Sequence, residues 1–443
     1  MFKISKYIVE TEIPHQNNSL KIIFSTRTGG SFVISDVAFE RAKAGNYSKL
    51  SDEEIMALTT NKILILKDEN EIESILAYNL GNNQKPSEIS FTIQPTANCQ
   101  LGCFYCGQEH RIDKISDNVI DKTVERIQYV LDANHNYRHL HITWYGGEPL
   151  IASAAIEKYS NKLIRYCNDN NILYSSDIIT NGLLLKEPIY RRMLAIGITS
   201  YQITLDGTKE THDKRRITKG GDGTFDLIFR NVVNFVKSDE YKKHNVSIGL
   251  RINIDKTMVD EVDRLIDMVY DAGIVKDVHF SFAPVFDWGG NNADENSFSH
   301  SDFAELEMNW LFKLHTMGVK ELSLLPNVKS MSCMVDNIDS EVFDADGNIM
   351  ACYEYTYTPA YNDESFIEGN VIRNIEHKKG TSIRNFQNEI LKKTYSYCLD
   401  CKFYPVCAGE CPKQWMNGKI PCPSFKFNME DRLLLQYLSH KNQ

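Results

Sequence analysis

Three cysteines crowd into Cys99-Gln-Leu-Gly-Cys103-Phe-Tyr-Cys106, with three and then two residues between them. Thiolates at such spacing converge on one metal centre. They are one fewer than a four-iron cluster or a tetrahedral zinc ion takes. A four-iron cluster held this way leaves one iron open to a non-protein ligand. A zinc knuckle would recruit a fourth donor instead, and His110 lies close by for that role. Gly102 lets the chain pass near an inorganic sulfide, because it carries no Cβ.

Cysteines return near the C terminus. Cys333 and Cys352 flank Gly347, and Cys398-x2-Cys401-x5-Cys407-x3-Cys411 is followed ten residues later by Cys422. A zinc ribbon would use four of the five between 398 and 422. The seven together exceed one zinc site and fall one short of two four-ligand sites. Glycine-containing polar stretches lie between the two cysteine groups: Gly146-Gly147-Glu148-Pro149, Thr180-Asn181-Gly182 and Asp206-Gly207-Thr208. Each alone reads as a tight turn. Paired glycines also expose backbone groups to a ligand, and Glu148 or nearby carbonyls could accept from an ammonium group. All these stretches follow expected strands, and together they describe one site.

The elements that must position them alternate. Strands are expected at 89–93, 140–144, 173–179, 200–204, 246–254 and 278–282, with helices at 119–131, 156–168, 225–236 and 259–270 between them. Six β/α units predict parallel strands with right-handed crossovers, in an open, partial (β/α)6 barrel of the TIM type. Loops after such strands converge on one face. Cys167 then falls on an outer helix as a buried structural thiol. Before the barrel, residues 1–84 read as an α+β module with strands at 7–11, 20–25, 32–34 and 62–66. A helix starts at Ser51, a polar turn follows near 69–72, and 81–87 is a linker. The barrel is expected over 85–300. A cysteine-rich domain over 301–443 opens with a helix at 303–314.

The chain has 443 residues, 42% of them hydrophobic, and a formal charge of −10. That charge, with no basic block, argues against nucleic acid as a partner. No segment has the length and apolarity of a membrane span, and the first residues lack a signal-peptide core. A cytoplasmic location is expected, where eleven cysteines point to metal or redox chemistry rather than disulfides.

These motifs resemble the radical S-adenosylmethionine enzymes that carry a C-terminal SPASM domain, over about residues 88–425. The resemblance implies an oxidoreductase in which the open iron of a four-iron cluster on Cys99, Cys103 and Cys106 chelates S-adenosylmethionine. Reductive cleavage then gives a 5′-deoxyadenosyl radical that takes a hydrogen atom from the substrate. By position, Tyr105 lies along the adenine and Gly147, beside Gly146 and Glu148, holds the methionine amino group. Thr180 belongs to the same binding set. Thr204 contacts ribose or carboxylate. Arg216 contacts the carboxylate, with Arg215 as a register alternative. Asp206 braces that loop, and Arg251 and Asn253 face the same side.

The resemblance also implies two auxiliary clusters. Cys398, Cys401, Cys407 and Cys422 hold the distal one, and Cys333, Cys352 and Cys411 the proximal one. The proximal set lacks one thiolate, leaving an iron for Asp336, Asp339, solvent or a substrate atom. Two branches compete. In anaerobic sulfatase maturases an Asp directly after the Gly-x4-Cys cysteine is the base, whereas here Tyr353 and Glu354 follow Cys352. Those two are the candidate catalytic residues. The additional N-terminal module favours the other branch, maturases of ribosomally made precursor peptides, served by a flavodoxin- or ferredoxin-type reductant. A multi-cluster electron carrier would explain the cysteines but not the loops after strands two to four.

Overall fold

The computed structural model describes residues 2–14, 19–84, 86–373, 381–391 and 396–441. Its first strands are β1 (Phe2–Ile4), β2 (Ile8–Glu12), β3 (Leu20–Ser25), β4 (Ser31–Ser35) and β5 (Leu64–Leu66). The central strands are β6 (Glu88–Ile93), β7 (His139–Trp144), β8 (Leu173–Thr180), β9 (Ile198–Thr204), β10 (Ser247–Ile254) and β11 (His279–Pro284). Each of these six pairs in parallel with the next. Helices Asp117–Ala133, Ser153–Asp169, Glu187–Ala195, Phe225–Val236 and Val259–Asp271 stand between them, and His300–Thr316 follows the last. The fold is the expected mixed α/β partial barrel.

Strand sequences set the two faces. In β7, Leu140, Ile142 and Trp144 are fully buried against the outer helices, while His139, His141 and Thr143 face inward. A parallel sheet covered on both faces is usually apolar throughout. Here the inner face is polar: His141 bonds Ser175 and Asp177, each at 2.7 Å, and Thr143 donates to Asp177 at 2.8 Å. The same alternation in β10 buries Ile248, Leu250, Ile252 and Ile254 and turns Arg251 and Asn253 inward. Cys167 is fully buried on the outer helix 153–169.

The barrel does not close. At the β6 edge it continues through β12 (Val342–Phe343), which is parallel to β6, and then antiparallel β13 (Asn348–Met350) and β14 (Ile367–Asn370). The cysteine-rich region therefore extends the barrel's own sheet. Arg126 on helix 117–133 clamps this joint through Glu341, which is fully buried.

The N-terminal module holds the antiparallel sheet β2-β3-β4 and the pair β1-β5. Ser51 forms a capping box with Glu54 and starts helix Asp52–Thr60. The polar turn near 69–72 and the linker at 81–87 need correction. Glu71–Gln84 is one helix, because Ile72, Ile75 and Leu76 share a face that packs on Phe386, Tyr404 and Trp415. Val9, Ile22 and Phe24 likewise pack on Phe403, Val406, Met429 and Leu433. The module is thus fused to the C-terminal cysteine region.

Candidate active site at the barrel mouth

The loop after β6 carries Cys99, Cys103 and Cys106 and is sewn to the stretch 215–219 beyond β9. Gly102 N donates to Ile217 O at 2.9 Å and Lys219 N to Gln100 O at 2.9 Å. The loop after β7 locks against it, where Gly147 N reaches Thr96 O and Glu148 N reaches Asn98 O. A Cβ on Gly147 would sit 2.4 Å from Asn98 O, so only glycine permits this approach. On the far side Gly107 and Gly289 nearly touch backbone to backbone, joining the cysteine loop to the loop after β11.

These loops enclose a cavity of about 310 Å³, of small-molecule size. Cys99, Cys103, Cys106, Tyr105, Gly146, Gly147, Thr180, Thr204, Arg216, Arg251, Tyr353 and Glu354 all line it. Burial raises the Cys99 thiol to about 12 and that of Cys106 to about 11. Such thiols are poor free nucleophiles and become ligands when a metal replaces the proton. Asn181 Nδ2 points to Cys99 Sγ at 3.8 Å, as sulfur ligands require. His110 Nε2 comes to 3.7 Å from Cys106 Sγ. Yet among the described residues no three donors converge as on a single ion.

Arg216 carries the clearest vacancy for an anion. Its Nη1 donates to Tyr105 Oη at 2.6 Å, while its Nε is buried without a partner. A ligand carboxylate would satisfy it. Arg215 does not line the cavity: its Nη1 donates to Asp255 at 2.6 Å, its Nη2 to Asn253 O at 2.9 Å, and its Nε, likewise without a hydrogen-bond partner, lies 3.7 Å from the Asp206 carboxylate. Tyr105 does not stand free, since its hydroxyl donates to Asp206 at 2.6 Å and accepts from Asn253 at 3.1 Å. Burial and the neighbouring Arg215 and Arg216 hold His212 well below the usual imidazole range. Neutral His212 accepts from Asp206 N through Nδ1 and faces Thr224 through Nε2.

One expected ligand contact is corrected. Glu148 is fully buried behind the cavity and accepts from Thr180 Oγ1 (2.6 Å), Asn181 N (2.7 Å) and Leu150 N (2.9 Å). It ties the second loop to the third and has no face toward a ligand. Asp206 is also fully buried and braces Tyr105 and Asn253 N rather than lining the wall.

The outer end of the cavity holds residues that the motifs left out: Tyr145, Gln202, Phe286, Trp288 and Thr358. Tyr145 and Tyr353 meet edge to face at 5.4 Å. Burial raises the Glu354 carboxyl, opposed by the charges of Lys413 and Arg251. Lys413 is almost fully buried over the rings of Tyr361 and Trp288, at 4.5 and 5.1 Å. An alternating-strand signal in Tyr-Gln-Ile-Thr204 could have found Gln202. Lys413 gave none, because its partners come from distant loops.

The seven C-terminal thiols fall into two sets. Cys398, Cys401, Cys407 and Cys422 line one small void. Cys333, Cys352 and Cys411 interact electrostatically with one another, next to Glu354.

A parallel barrel with three thiols, paired glycines and a buried arginine at its mouth defines a class. Residues 93–258 match the family described as Radical SAM superfamily, so the chain carries a radical S-adenosylmethionine enzyme domain. S-adenosylmethionine and one four-iron cluster are the cofactors that go with that family. The chain is similar to a cysteine-type anaerobic sulfatase-maturating enzyme of Clostridium novyi (strain NT). The two are 24% identical over 381 residues, covering 78% of this chain and 95% of the relative. Among solved structures, anSMEcpe with bound AdoMet and a Cp18Cys peptide aligns at TM-score 0.58 and 19% identity. That alignment covers 80% of this chain and all of anSMEcpe. Streptococcus suis SuiB bound to S-adenosylmethionine aligns at TM-score 0.51 and 14% identity, over 94% of this chain and 97% of SuiB. Among the described residues no helix is long and apolar enough to cross a membrane.

Proposed function

We propose that this enzyme matures a ribosomally made precursor peptide, abstracting a hydrogen atom from one residue and leaving an intrapeptide cross-link or another oxidative change. The observation that carries this reading is the cavity, which runs from the Cys99 loop to a wall of Tyr145, Phe286, Trp288, Tyr353 and Glu354 beside the proximal thiols. A side chain presented on a peptide would enter there, and the aromatic wall would exclude water from it. Coverage supports the choice of branch. All of anSMEcpe is matched by 80% of this chain, whereas SuiB spans 94% and so reaches into the N-terminal module. In this reading the module holds part of the precursor.

When bound, S-adenosylmethionine and the cluster on Cys99, Cys103 and Cys106 would supply the adenosyl radical. The chain's residues position it. Arg216 Nε would take the methionine carboxylate, the backbone around Gly146 and Gly147 its amino group, and Thr204 the ribose or carboxylate. Tyr105 would lie by the adenine, fixed through Asp206 and Asn253. Two auxiliary clusters, on the four-thiol and three-thiol sets, would take the electron released as the new bond closes. A flavodoxin- or ferredoxin-type reductant would supply the electron for each cleavage.

A decisive assay incubates the reduced, reconstituted enzyme with a short precursor peptide encoded beside it. The expected product has lost two hydrogen atoms internally. The second reading, formylglycine formation on a Cys or Ser, draws on the 95% coverage of the C. novyi relative. Conversion of a sulfatase-derived peptide, with the precursor untouched, would replace the first reading by it.

A further inference from the structure

We propose that Asp336 is the fourth protein ligand of the proximal cluster, binding through Oδ1 the iron that Cys333, Cys352 and Cys411 leave without a thiolate. The inference rests on the two-cluster reading above, and adds to it the identity of a ligand.

Asp336 lies one turn after Cys333, in the short 3-10 helix 334–336, and its N–H donates to Cys333 O at 3.1 Å. The two residues thus flank one tight turn three positions apart. The carboxylate is held from one side only. Oδ2 accepts from Ser332 N at 2.6 Å, Ser332 Oγ at 2.7 Å and Gln387 Nε2 at 3.0 Å. Oδ1 is buried with no hydrogen-bond partner. A buried carboxylate oxygen without a donor has lost its hydration with nothing in its place. Three donors on its twin make rotation to relieve it unfavourable. A cation at Oδ1 makes good that loss, and iron is a suitable acceptor for an oxygen ligand.

Of the competing oxygen donors, Asp339 is engaged elsewhere, and Glu354, although beside Cys352 and Cys411, lines the substrate cavity. Asp339 Oδ2 accepts from Tyr137 Oη at 2.9 Å. Glu354 faces the substrate cavity, in the field of Lys413 and Arg251. Cys167 is fully buried on the outer side of the barrel. Gln387 also donates to Ala408 O at 3.0 Å, within the four-thiol segment. It therefore orients Asp336 from the neighbouring set.

The test uses the full chain with Cys99, Cys103 and Cys106 replaced by Ala, so that only auxiliary iron remains, reconstituted with Mössbauer-active iron. Two four-iron clusters, one with a single distinct, oxygen-ligated iron, are expected. Asp336→Cys should convert that iron to the all-thiolate spectrum. Asp336→Ala should lose about one iron per chain and show the paramagnetic signal of an oxidised three-iron cluster. If the parent holds one auxiliary cluster alone, the two-cluster reading fails and this inference with it. Two clusters whose spectra ignore both substitutions would overturn the assignment of Asp336 while leaving the two-cluster reading intact.

Discussion

Two of the three cysteine sets hold three thiols and one holds four, and the difference follows location. Cys99, Cys103 and Cys106 face the cavity, and Cys352 adjoins it through Tyr353 and Glu354. The complete set, Cys398, Cys401, Cys407 and Cys422, lies away from the cavity against the N-terminal module, around a void of only about 30 Å³. The three-thiol sets thus go with access to the cavity, and the four-thiol set, whose cysteines are each half-buried, with aromatic side chains packed around it. In the proposed chemistry, the Cys99 set suits a centre that binds an exchangeable group, the Cys333 set one closed by an oxygen ligand, and the four-thiol set one that only passes electrons.

The comparison breaks first at the radical set. Replacing Cys99, Cys103 and Cys106 together by Ala should abolish formation of 5′-deoxyadenosine while auxiliary iron stays bound. Continued production of the nucleoside would mean that cleavage occurs at another set. Arg216 ranks next. Arg216→Gln removes the unpartnered Nε and the bond to Tyr105, and should weaken S-adenosylmethionine binding by about 10- to 100-fold, the value of a charge-assisted bond or two. Calorimetric titration measures it. Arg215→Gln, by contrast, should act on stability through Asp255, and equal losses of affinity in both variants would remove the distinction drawn between them.

The four-thiol set should depend on the N-terminal module. Tyr7 Oη donates to Leu399 O at 2.9 Å and Thr26 Oγ1 to Lys402 O at 2.5 Å, so the module holds the backbone between Cys398 and Cys407. Excising residues 1–84 would strip Phe386, Phe403, Tyr404 and Trp415 of cover. Point changes separate anchoring from peptide binding. Tyr7→Phe with Thr26→Val should speed amide exchange over 399–407 by up to about thirtyfold, each lost bond contributing about 1 kcal/mol. Distal iron should also leave sooner under a chelator. Unchanged exchange there would reduce the module to a separate appendage.

Much of this arrangement was legible in the chain because its periodicities are local. His-Leu-His-Ile-Thr-Trp144 announces a strand with one apolar and one polar face, and β7 has that form. The division of the seven C-terminal cysteines into four and three came from the resemblance and not from their spacing, and the four line one void. What escaped depends on contacts between remote segments. Glu148 looked like a ligand because it follows paired glycines, yet Thr180 and the Asn181 backbone bond its carboxylate from another strand end. Helix 71–84 was read as a turn and linker because Asn and Gly dilute its later turns, and the apolar face that fixes it is completed by Phe386 and Trp415 some 300 residues on. Lys413 and Trp288 belong to the same group: neither sits in a motif, and only the fold stacks one on the other.

The smallest effect concerns the joint where the cysteine region grows out of the barrel sheet. Asp344, between β12 and β13, is buried and accepts from Asn348 N and Nδ2, each at 2.8 Å, and from Asp346 N at 2.9 Å. Burial nevertheless outweighs these bonds and raises its pKa from 3.8 to about 6. A carboxyl whose folded value is raised favours the fold when protonated. Its contribution is therefore full below about pH 4 and is lost as pH rises through about 6. Asp344→Asn keeps a neutral side chain at all pH values, though the donors on one oxygen lose part of their partner. The variant should match or fall below the parent at pH 4 and gain on it between pH 4 and 7, by at most about 3 kcal/mol. Thermal unfolding across that range measures the difference. A parallel shift of the two stability curves, with no convergence at low pH, would show that Asp344 stays ionised and that its three donors overcome burial.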